Sequence, residues 1–405
     1  MLVKQRMAFM VVALVLFAPR VFAQAEQGGP DPSKVRVRIG PLWVNPSIAL
    51  TNLGVDSNVF NTPTNPKSDF TFTASPRAEA WLRIGRTWLN GTVNEDIVWY
   101  QKYGSERSDN TRSQLMWSVP LTHLSFRLGT EFTNTHERPG FEIDSRAQRS
   151  EYGYNAAVDV TFLSKTSIGI SAARQMVNFD KSAHFEGTNL HDALNRTRTT
   201  GSVNLSHRLT PLTTLTLSVT REEERFTYDS LRDSNSMTIR GIVKFDPFAL
   251  LKGTATFGYR DFEPMVAGLP SYKGSTAAVD LAYTAAQSTR FGVRVLRDVQ
   301  YSFYVNEPYY LQTGVTVDVA QQIYGPVEVV ARGTVSRLAY RERTGIAVLT
   351  SDRIDRLQGV GGSINYSLSR DLRIGFNVDK MRRTSVVENR DYEGFRYGTS
   401  VMYGF

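Results

Sequence analysis

One short stretch of the sequence places three residue types together that often take part in chemistry. In GVDSNVF, residues 54–60, Asp56, Ser57 and Asn58 follow one another. A calcium loop takes oxygen ligands at alternate positions. Asp56 and Asn58 begin that spacing, but Phe60 occupies the next place and no glycine followed by glutamate comes after it. Since no histidine lies nearby to activate Ser57, we interpret the stretch as the end of a strand. Asp and Asn side chains there bond nearby backbone amides.

A second stretch, the loop Asp180–Asn195, also holds Asp, Ser and His together. Polar loops rich in these residues are more often solvated surface than catalytic sites. The sequence contains no HExxH spacing for zinc and no glycine loop that would cradle a phosphate. The charged run REEER, Arg221–Arg225, is typical of a solvated strand end. We therefore predict no enzyme activity, no catalytic residue, no metal site and no cofactor.

The first residues of the chain have the pattern of a secretory signal peptide. A basic segment with Lys4 and Arg6 precedes the apolar run Met7–Ala18, which is too short to span a membrane as a helix. Small or apolar residues precede a cleavage point after Ala23. We predict a signal peptide over residues 1–23, a flexible periplasmic N-terminus over 24–42, and a β-barrel over 43–405.

Composition narrows the class of protein further. The chain has no cysteine, which excludes disulfides and thiolate metal sites and fits a bacterial envelope protein. Its net charge of +8 falls to +5 when the three positive charges Lys4, Arg6 and Arg20 leave with the signal peptide. This excess suits anionic ligands or lipid, and it does not indicate nucleic-acid binding.

Apolar residues recur at every second position along the chain. In the segment Phe70–Ile84, one face carries Phe70, Phe72 and Leu82, whereas the other carries Thr71, Arg77 and Glu79. This period of two predicts strands with one apolar and one polar face. A transmembrane barrel strand has that pattern, which also explains the unremarkable mean hydropathy of −0.28.

Counting such segments predicts an all-β fold, a transmembrane antiparallel up-and-down barrel of about eighteen strands, with sixteen as the alternative. Short connections such as 85–86 and 163–166 alternate with longer ones such as 136–149 and 180–195. Short periplasmic turns alternating with longer outer loops are typical of bacterial outer-membrane barrels. We therefore expect this chain in the bacterial outer membrane, with both termini in the periplasm.

If the apolar phase faces lipid, then the other phase faces the lumen. A lipid-facing Arg or Lys near the membrane centre costs about 2–4 kcal/mol, so the charged residues must face water or one another. The predicted pore-lining residues are Arg77, Glu79, Arg83, Arg127, Glu131, Arg240, Lys244, Arg294, Asp298, Arg332, Arg373 and Asp379. These side chains either line an aqueous channel or form ion pairs that stiffen the wall, and the sequence leaves both alternatives open.

The C-terminal stretch ends on alternating aromatic residues. Tyr403 and Phe405 share one strand face, which fits the terminal insertion signal that the barrel-assembly machinery recognises. Further aromatic residues near predicted strand ends are expected to form interfacial girdles. They include Trp88, Trp99, Trp117, Tyr309 and Tyr340.

The first-strand region, GPLWVNPSIALTNLGVDSNVF (residues 40–60), resembles the β-barrel porin type 2 family. That resemblance implies an outer-membrane barrel associated with exopolysaccharide export, with periplasmic or inner-membrane export proteins as partners. It implies no catalytic residue. At the end of this stretch, we expect Val59 and Phe60 to anchor the rim at the lipid interface. A sugar contact by Asp56 or Asn58 is a further hypothesis.

Three functions remain compatible with the sequence. The first is a conduit for exopolysaccharide export across the outer membrane. The second is a general or substrate-specific diffusion porin for small solutes. The third is a closed structural or adhesive barrel whose loops bind a partner.

Overall fold

The computed structural model describes residues 35–246, 249–286, 288–345 and 351–404. Within these ranges, eighteen long antiparallel strands follow one another and form a closed barrel. They are β1 Leu42–Asp56, β2 Asp69–Ile84, β3 Thr87–Tyr100, β4 Ser108–Pro120, β5 Leu124–Glu137, β6 Ala147–Leu163, β7 Thr166–Phe179, β8 Arg196–Thr210, β9 Thr213–Phe226, β10 Ser234–Phe245, β11 Leu251–Pro264, β12 Tyr272–Ala285, β13 Thr289–Tyr301, β14 Tyr309–Tyr324, β15 Val327–Arg341, β16 Ile354–Ser367, β17 Leu372–Thr384 and β18 Tyr392–Tyr403. The predicted fold class is confirmed, with eighteen strands rather than sixteen.

The barrel closes because β1 pairs with a strand on each side. Its partners are β2, which follows it in sequence, and β18, whose Tyr403 pairs with Ile48 and whose Arg396 pairs with Asp56. A closed ring leaves no strand edge with unpaired backbone groups, which is the condition for crossing lipid with strands. No helix in the described ranges is long and apolar enough to cross a membrane.

The period of two in the sequence decides which face of each strand points outward. Apolar side chains of one phase are exposed, as with Ile170 at 66% and Ile239 at 53%. The other phase holds charged residues that pair with one another across neighbouring strands. Because lipid replaces water around the outer face, this inverted arrangement is the stable one for a membrane barrel.

Short and long connections alternate around the barrel, as predicted. Turns such as 85–86, 164–165 and 325–326 lie at one end, and loops such as 57–68 and 180–195 lie at the other. At the turn end, Gly85 and Gly325 have φ values of 61° and 50°, a conformation that glycine adopts without strain. We assign the turn end to the periplasm and the loop end to the outside.

The N-terminal segment is partly ordered. Val37–Ile39 forms a short strand that pairs with the start of β1, and Arg36 bonds Asp371 at 2.6 Å. Part of the predicted flexible segment 24–42 is therefore structured, because it pairs with a stretch of β1 that lies beyond the end of β18. The predicted signal peptide, residues 1–23, and the terminal Phe405 lie outside the described residues.

The β13–β14 hairpin departs from the cylinder at its outer end. Pairing between β12 and β13 stops at Ala277 and Arg297, whereas β13 and β14 stay paired as far as Tyr301 and Tyr309. Tyr309 packs on Phe262 of β11, with ring centroids 5.0 Å apart, and is 1% exposed. The end of this hairpin therefore leans into the lumen.

The predicted aromatic girdle was wrong for Tyr309, Tyr340 and Trp88, which lie inside the barrel. Tyr309 is buried inside the barrel, and Tyr340 lies on the inner face, opposite Tyr310. Trp88 also has the inner phase, because it pairs with Arg83. Trp99 and Trp117 have the outer phase and fit the predicted girdle.

Candidate functional site

All twelve predicted pore-lining residues lie on the inner phase of their strands. Several form ion pairs between neighbouring or nearby strands. These pairs are Arg127–Asp159 at 2.6 Å, Arg294–Asp318 at 3.1 Å, Arg332–Asp379 at 2.5 Å, Arg373–Glu328 at 3.4 Å and Asp298–Arg260 at 3.0 Å. Near the periplasmic turn, Arg83 donates to the Gly85 carbonyl at 3.2 Å. These residues therefore lie on the inner wall of the barrel. That they line an open pore stays a prediction.

The run REEER is split by the strand alternation. Arg221 and Glu223 face outward, whereas Glu222 and Glu224 are buried at 6% and 1% exposure. Glu222 accepts from Arg260 at 2.6 Å, and Glu224 accepts from Arg198 at 2.8 Å. The prediction of a solvated strand end was therefore wrong for the inward half of the run, because a period of two sends alternate charges into the barrel.

Four outer loops converge inside the outer end of the barrel. They are loops 138–146, 180–195, 302–308 and 385–391, and together we name them the inner plug. Ile143, Leu190, Leu194 and Phe303 form one buried apolar cluster with Phe226 of the wall. Because these loops leave the barrel at well-separated strands, their contacts cross the lumen rather than follow its wall.

Two arginines hold loop 138–146 in place. Arg383 of β17 donates to the Phe141 carbonyl at 2.9 Å, to the Glu142 carbonyl at 3.1 Å and to the Asp144 carboxylate at 2.8 Å. Arg390 donates to the Glu142 carbonyl and, at 2.8 Å, to Glu186 of loop 180–195. Charge-assisted bonds of this kind fix the loop backbone firmly.

Loop 302–308 is held in a similar way. Arg232 donates to the carbonyls of Ser302 at 3.2 Å and Phe303 at 2.9 Å. Ser302 in turn donates its hydroxyl to the Glu142 carboxylate at 2.6 Å, and the Phe303 amide donates to it at 3.3 Å. The two loops therefore meet at Glu142.

Glu142 is the carboxylate at the centre of the inner plug, and it is 2% exposed. Burial raises its pKa to about 7, although the Ser302 hydrogen bond and the charges of Arg390 and Arg353 lower it. Burial also raises the pKa of Asp144, against the pull of Arg383. Acids in this position favour their protonated form more than they do in water.

The plug leaves little space beside the wall. The cavity between loop 138–146 and the strands has a volume of about 60 Å³ and is lined by Phe141, Glu142, Arg149, Phe179 and Tyr310, among others. A volume of this size holds water molecules rather than a sugar. Loop 138–146 therefore packs closely against this part of the wall.

The inner plug is not among the features predicted from the sequence. Its signal in the sequence is the presence of apolar residues inside the outer loops, such as Phe141 and Ile143 in one loop and Leu190 and Leu194 in another. Loops that face water rarely need such residues, so a loop containing them is a candidate for folding inward.

The stretch GVDSNVF closes the barrel seam, which we define as the junction of β1 and β18. Asp56 pairs with Arg396 of β18 at 2.5 Å. The Ser57 hydroxyl accepts from the Phe395 amide at 2.8 Å. Asn58 donates to the carbonyls of Thr62 and Glu393, both at 2.9 Å. Asp56 also accepts from the Asn58 amide, which is the predicted bond from a side chain to a nearby backbone amide.

Val59 does not anchor the rim at the lipid interface as predicted, whereas for half-buried Phe60 this stays a prediction. Val59 is fully buried, its carbonyl accepts from Arg138 of the inner plug at 2.8 Å, and Phe60 packs on Tyr103 at a centroid distance of 4.9 Å. Loop 57–68 turns inward over the lumen at this point, so the two side chains contact protein.

The loop 180–195 has no catalytic arrangement. The Ser182 hydroxyl donates to Asp180 at 2.6 Å, while His184 contacts the Ser182 carbonyl rather than its hydroxyl. His191 pairs with Asp192 and stacks on Tyr228. Within the described residues, no group of three His, Cys, Asp or Glu side chains is placed to hold a metal ion.

Several solved structures of bacterial proteins are similar to this chain. A BenF-like porin from Pseudomonas fluorescens Pf-5 is similar with a TM-score of 0.50 and 11% identity, over 90% of this chain and 98% of that chain. For OccAB4 from Acinetobacter baumannii the TM-score is 0.47 and the identity 8%, over 92% and 99% of the two chains. For the siderophore receptor PirA from Pseudomonas aeruginosa the values are 0.43 and 9%, over 91% and 81%.

The family assignment rests on a match over nearly the whole chain. No curated protein matches the sequence significantly. Residues 31–404, in contrast, match the family described as "Putative beta-barrel porin 2", which confirms the resemblance seen in the first strand. With its closed eighteen-stranded barrel, the chain belongs to this family of outer-membrane β-barrel porins.

Proposed function

We propose that this porin is a gated conduit through which an exopolysaccharide crosses the outer membrane toward the outside. The observation that carries the gated part is the inner plug, because four loops pack inside the outer end of a barrel whose inner face carries many charged side chains. The sugar polymer as cargo rests on the family to which the chain belongs and on the association of that family with exopolysaccharide export.

The bonding of the inner plug supports a gate rather than a permanent seal. Loop 138–146 is held by side chains such as Arg383 and Arg390, and not by strand pairing with the wall. The loop can therefore move without breaking the hydrogen-bonded ladder of the barrel. Segments of this kind open at lower free-energy cost than the sheet that carries them.

The polar inner wall supports passage of a hydroxyl-rich polymer. Ser202 and Thr220 lie on it, as do the pairs Arg127–Asp159 and Arg332–Asp379. Such groups exchange hydrogen bonds with sugar hydroxyls at small cost. An apolar wall would leave those hydroxyls unpaired, which costs about 1–3 kcal/mol for each buried group.

A closed structural barrel is the second candidate, favoured by the buried apolar cluster that the plug loops form with the wall. Planar-bilayer recording separates it from a channel. We expect low basal conductance for the intact protein and a large rise when loops 138–146 and 180–195 are both shortened. Absence of conductance in the shortened variant would favour the closed barrel and exclude both the conduit and a diffusion porin.

Export is tested in the cell from which the chain comes. We expect deletion of the gene to reduce polysaccharide at the cell surface and a plasmid copy to restore it. Periplasmic or inner-membrane export proteins and the barrel-assembly machinery are the partners that this proposal requires. Secretion that is unchanged by deletion, in a protein that still conducts small ions, would instead favour a diffusion porin.

A further inference from the structure

Arg383 and Arg390 direct charged donors at the same segment of loop 138–146. Arg383 reaches the carbonyls of Phe141 and Glu142 and the carboxylate of Asp144, and Arg390 reaches the Glu142 carbonyl. Arg383 and Arg390 are 1% and 2% exposed. A short stretch of loop therefore presents several acceptor oxygens to two buried cations.

The two arginines have donor capacity that the loop does not use. Among the described residues, the Nε atoms of Arg383 and Arg390 have no hydrogen-bond partner although both are buried. A buried unpaired donor on a charged group is costly and is rare in native structures. The arrangement therefore suits an acceptor richer in oxygen than the present loop segment.

Other contacts hold the two side chains in position when the loop is absent. Arg383 also pairs with Asp355 of β16, and Arg390 also pairs with Glu186 at 2.8 Å. Neither of these partners belongs to loop 138–146. Displacement of that loop therefore leaves two oriented guanidinium groups with unused donors facing the lumen.

We propose that Arg383 and Arg390 form a binding site for the carboxylate groups of an acidic sugar polymer, and that residues 141–144 occupy this site as an internal substitute in the closed state. The inference rests on the proposed function and names its substrate class. A guanidinium binds a carboxylate with two parallel hydrogen bonds, which loop carbonyl groups do not provide.

The site gives the polymer a means to open the channel. A ligand shifts an equilibrium toward the open state only by as much as it binds that state more tightly. In the closed state residues 141–144 occupy donors of both arginines, and in the open state those donors become available to a carboxylate while the pairs with Asp355 and Glu186 remain. An acidic polymer therefore stabilises the open state, whereas a neutral polymer of the same length does not.

The first experiment measures opening. The intact protein is reconstituted in planar bilayers, and oligogalacturonate or a neutral maltooligosaccharide of equal length is added on the periplasmic side. We expect the acidic oligomer alone to raise the open probability. Arg383→Gln and Arg390→Gln should each raise the half-effective concentration about tenfold, which is the loss of about 1.4 kcal/mol of binding.

Arg382→Gln is the matched control, because Arg382 lies next to Arg383 on β17 and is exposed on the opposite face. It removes the same charge and should leave the response unchanged. An equal response to the neutral oligomer, or a response of the Arg383 and Arg390 variants equal to that of the wild type, would overturn the proposal.

A second measurement tests binding without the plug loop, because the arginine variants could also loosen the plug. When residues 139–145 are replaced by a Gly-Ser linker, oligogalacturonate should bind the folded barrel in detergent by calorimetry. Adding Arg383→Gln with Arg390→Gln should weaken that binding about tenfold or more. Heat-modifiable gel mobility confirms that each variant is folded.

The two measurements also separate this inference from the proposed function. If the shortened barrel never conducts, then the conduit fails while calorimetry still tests the site. If the shortened barrel conducts but binds acidic and neutral oligomers equally, then the conduit stands and the carboxylate site is wrong.

Discussion

Glu142 shows how one side chain connects the loops of this porin. Its carboxylate accepts from Ser302 and Phe303, its backbone carbonyl accepts from Arg383 and Arg390, and the group is almost fully buried. Burial of a carboxylate without an ion pair at hydrogen-bond distance disfavours the charged form. The protonation state of this residue therefore bears on how firmly the inner plug is held.

The raised pKa of Glu142 predicts pH-dependent gating. Its pKa rises from an ordinary 4.5 to about 7 in the closed plug. The contribution of this group to the closed state is therefore complete below pH 4.5, decreases as pH rises, and is lost above about pH 7. Burial acts in the same direction on Asp144. We expect the open probability to rise between about pH 5 and pH 8, by at most tenfold per pH unit for one group.

Bilayer recording over this pH range measures the effect. Glu142→Gln should flatten most of the dependence, because the amide keeps the size of the side chain and does not titrate. Glu388→Gln is the control, since Glu388 is exposed in loop 385–391. A pH profile in Glu142→Gln that matches the wild type would contradict this assignment.

The hydrogen bonds of Asn58 are expected to stabilise the barrel seam. Its side chain donates to the carbonyls of Thr62 and Glu393 and accepts from the Thr62 amide. Asn58→Ala removes three hydrogen bonds made by a buried side chain to partly buried backbone groups, and we expect a loss of about 2–3 kcal/mol in the free energy of unfolding. Urea unfolding followed by gel mobility measures it. The exposed Thr64→Ala in the same loop should change stability little, and an equal loss in both variants would contradict the role of Asn58.

At the scale of elements, the seam between β1 and β18 decides whether the sheet becomes a barrel. The register of β1 shifts between Leu50 and Leu53 where it pairs with β18, and Asn52 there has a φ of 53°. A bulge of this kind bends a strand and increases its twist. It lets β1 pair with β18 on one side and β2 on the other.

A side chain at position 54 is expected to crowd this seam. A Cβ at this position would lie 2.0 Å from the Tyr397 carbonyl oxygen and 2.5 Å from Gly398 Cα, both of which are backbone atoms. Gly54→Ala should therefore force the two strands apart and destabilise the barrel by about 3 kcal/mol or more. Folded yield in detergent and urea unfolding measure this loss.

Gly333→Ala on β15 is the control for that substitution, because a Cβ there meets no atom within 4 Å. We expect it to fold with wild-type yield. Equal yields of the Gly54 and Gly333 variants would show that the seam tolerates wider spacing.

At the scale of the whole molecule, the barrel combines a rigid wall with loops that fill its outer end. The wall is held by continuous strand pairing and by ion pairs such as Arg127–Asp159. The inner plug is held by side chains such as Arg232 and Arg383 and by one apolar cluster. The two parts therefore differ in how easily they open.

Shortening one loop should change the inner plug and leave the wall unchanged. Replacing residues 139–145 with a Gly-Ser linker removes Glu142 and Asp144 from the plug while the strands keep their pairing. We expect a several-fold rise in single-channel conductance with little change in resistance to urea. Shortening loop 265–271, whose Gly268 and Pro270 carbonyls bond Thr344 and Tyr309, is the control. A similar rise in both variants would contradict the role of loop 138–146.

The sequence alone determined the wall of this porin. Alternation of apolar and polar residues predicts the strands, their number, their inner phase and the two classes of connection, as in β2 with Phe70 and Arg77 on opposite faces. These features depend on neighbours one or two positions apart, because lipid on one side and polar groups on the other act on each residue locally.

Only the tertiary structure decided the seam, the inward lean of Tyr309 and the inner plug. Asn58 bonds Glu393, which lies 335 positions away, and Arg383 bonds Phe141, 242 positions away. Such contacts leave no local period in the sequence, since each depends on where barrel closure brings distant loops together. The same stretch, GVDSNVF, therefore looks like a site in the sequence and forms the seam in the folded barrel.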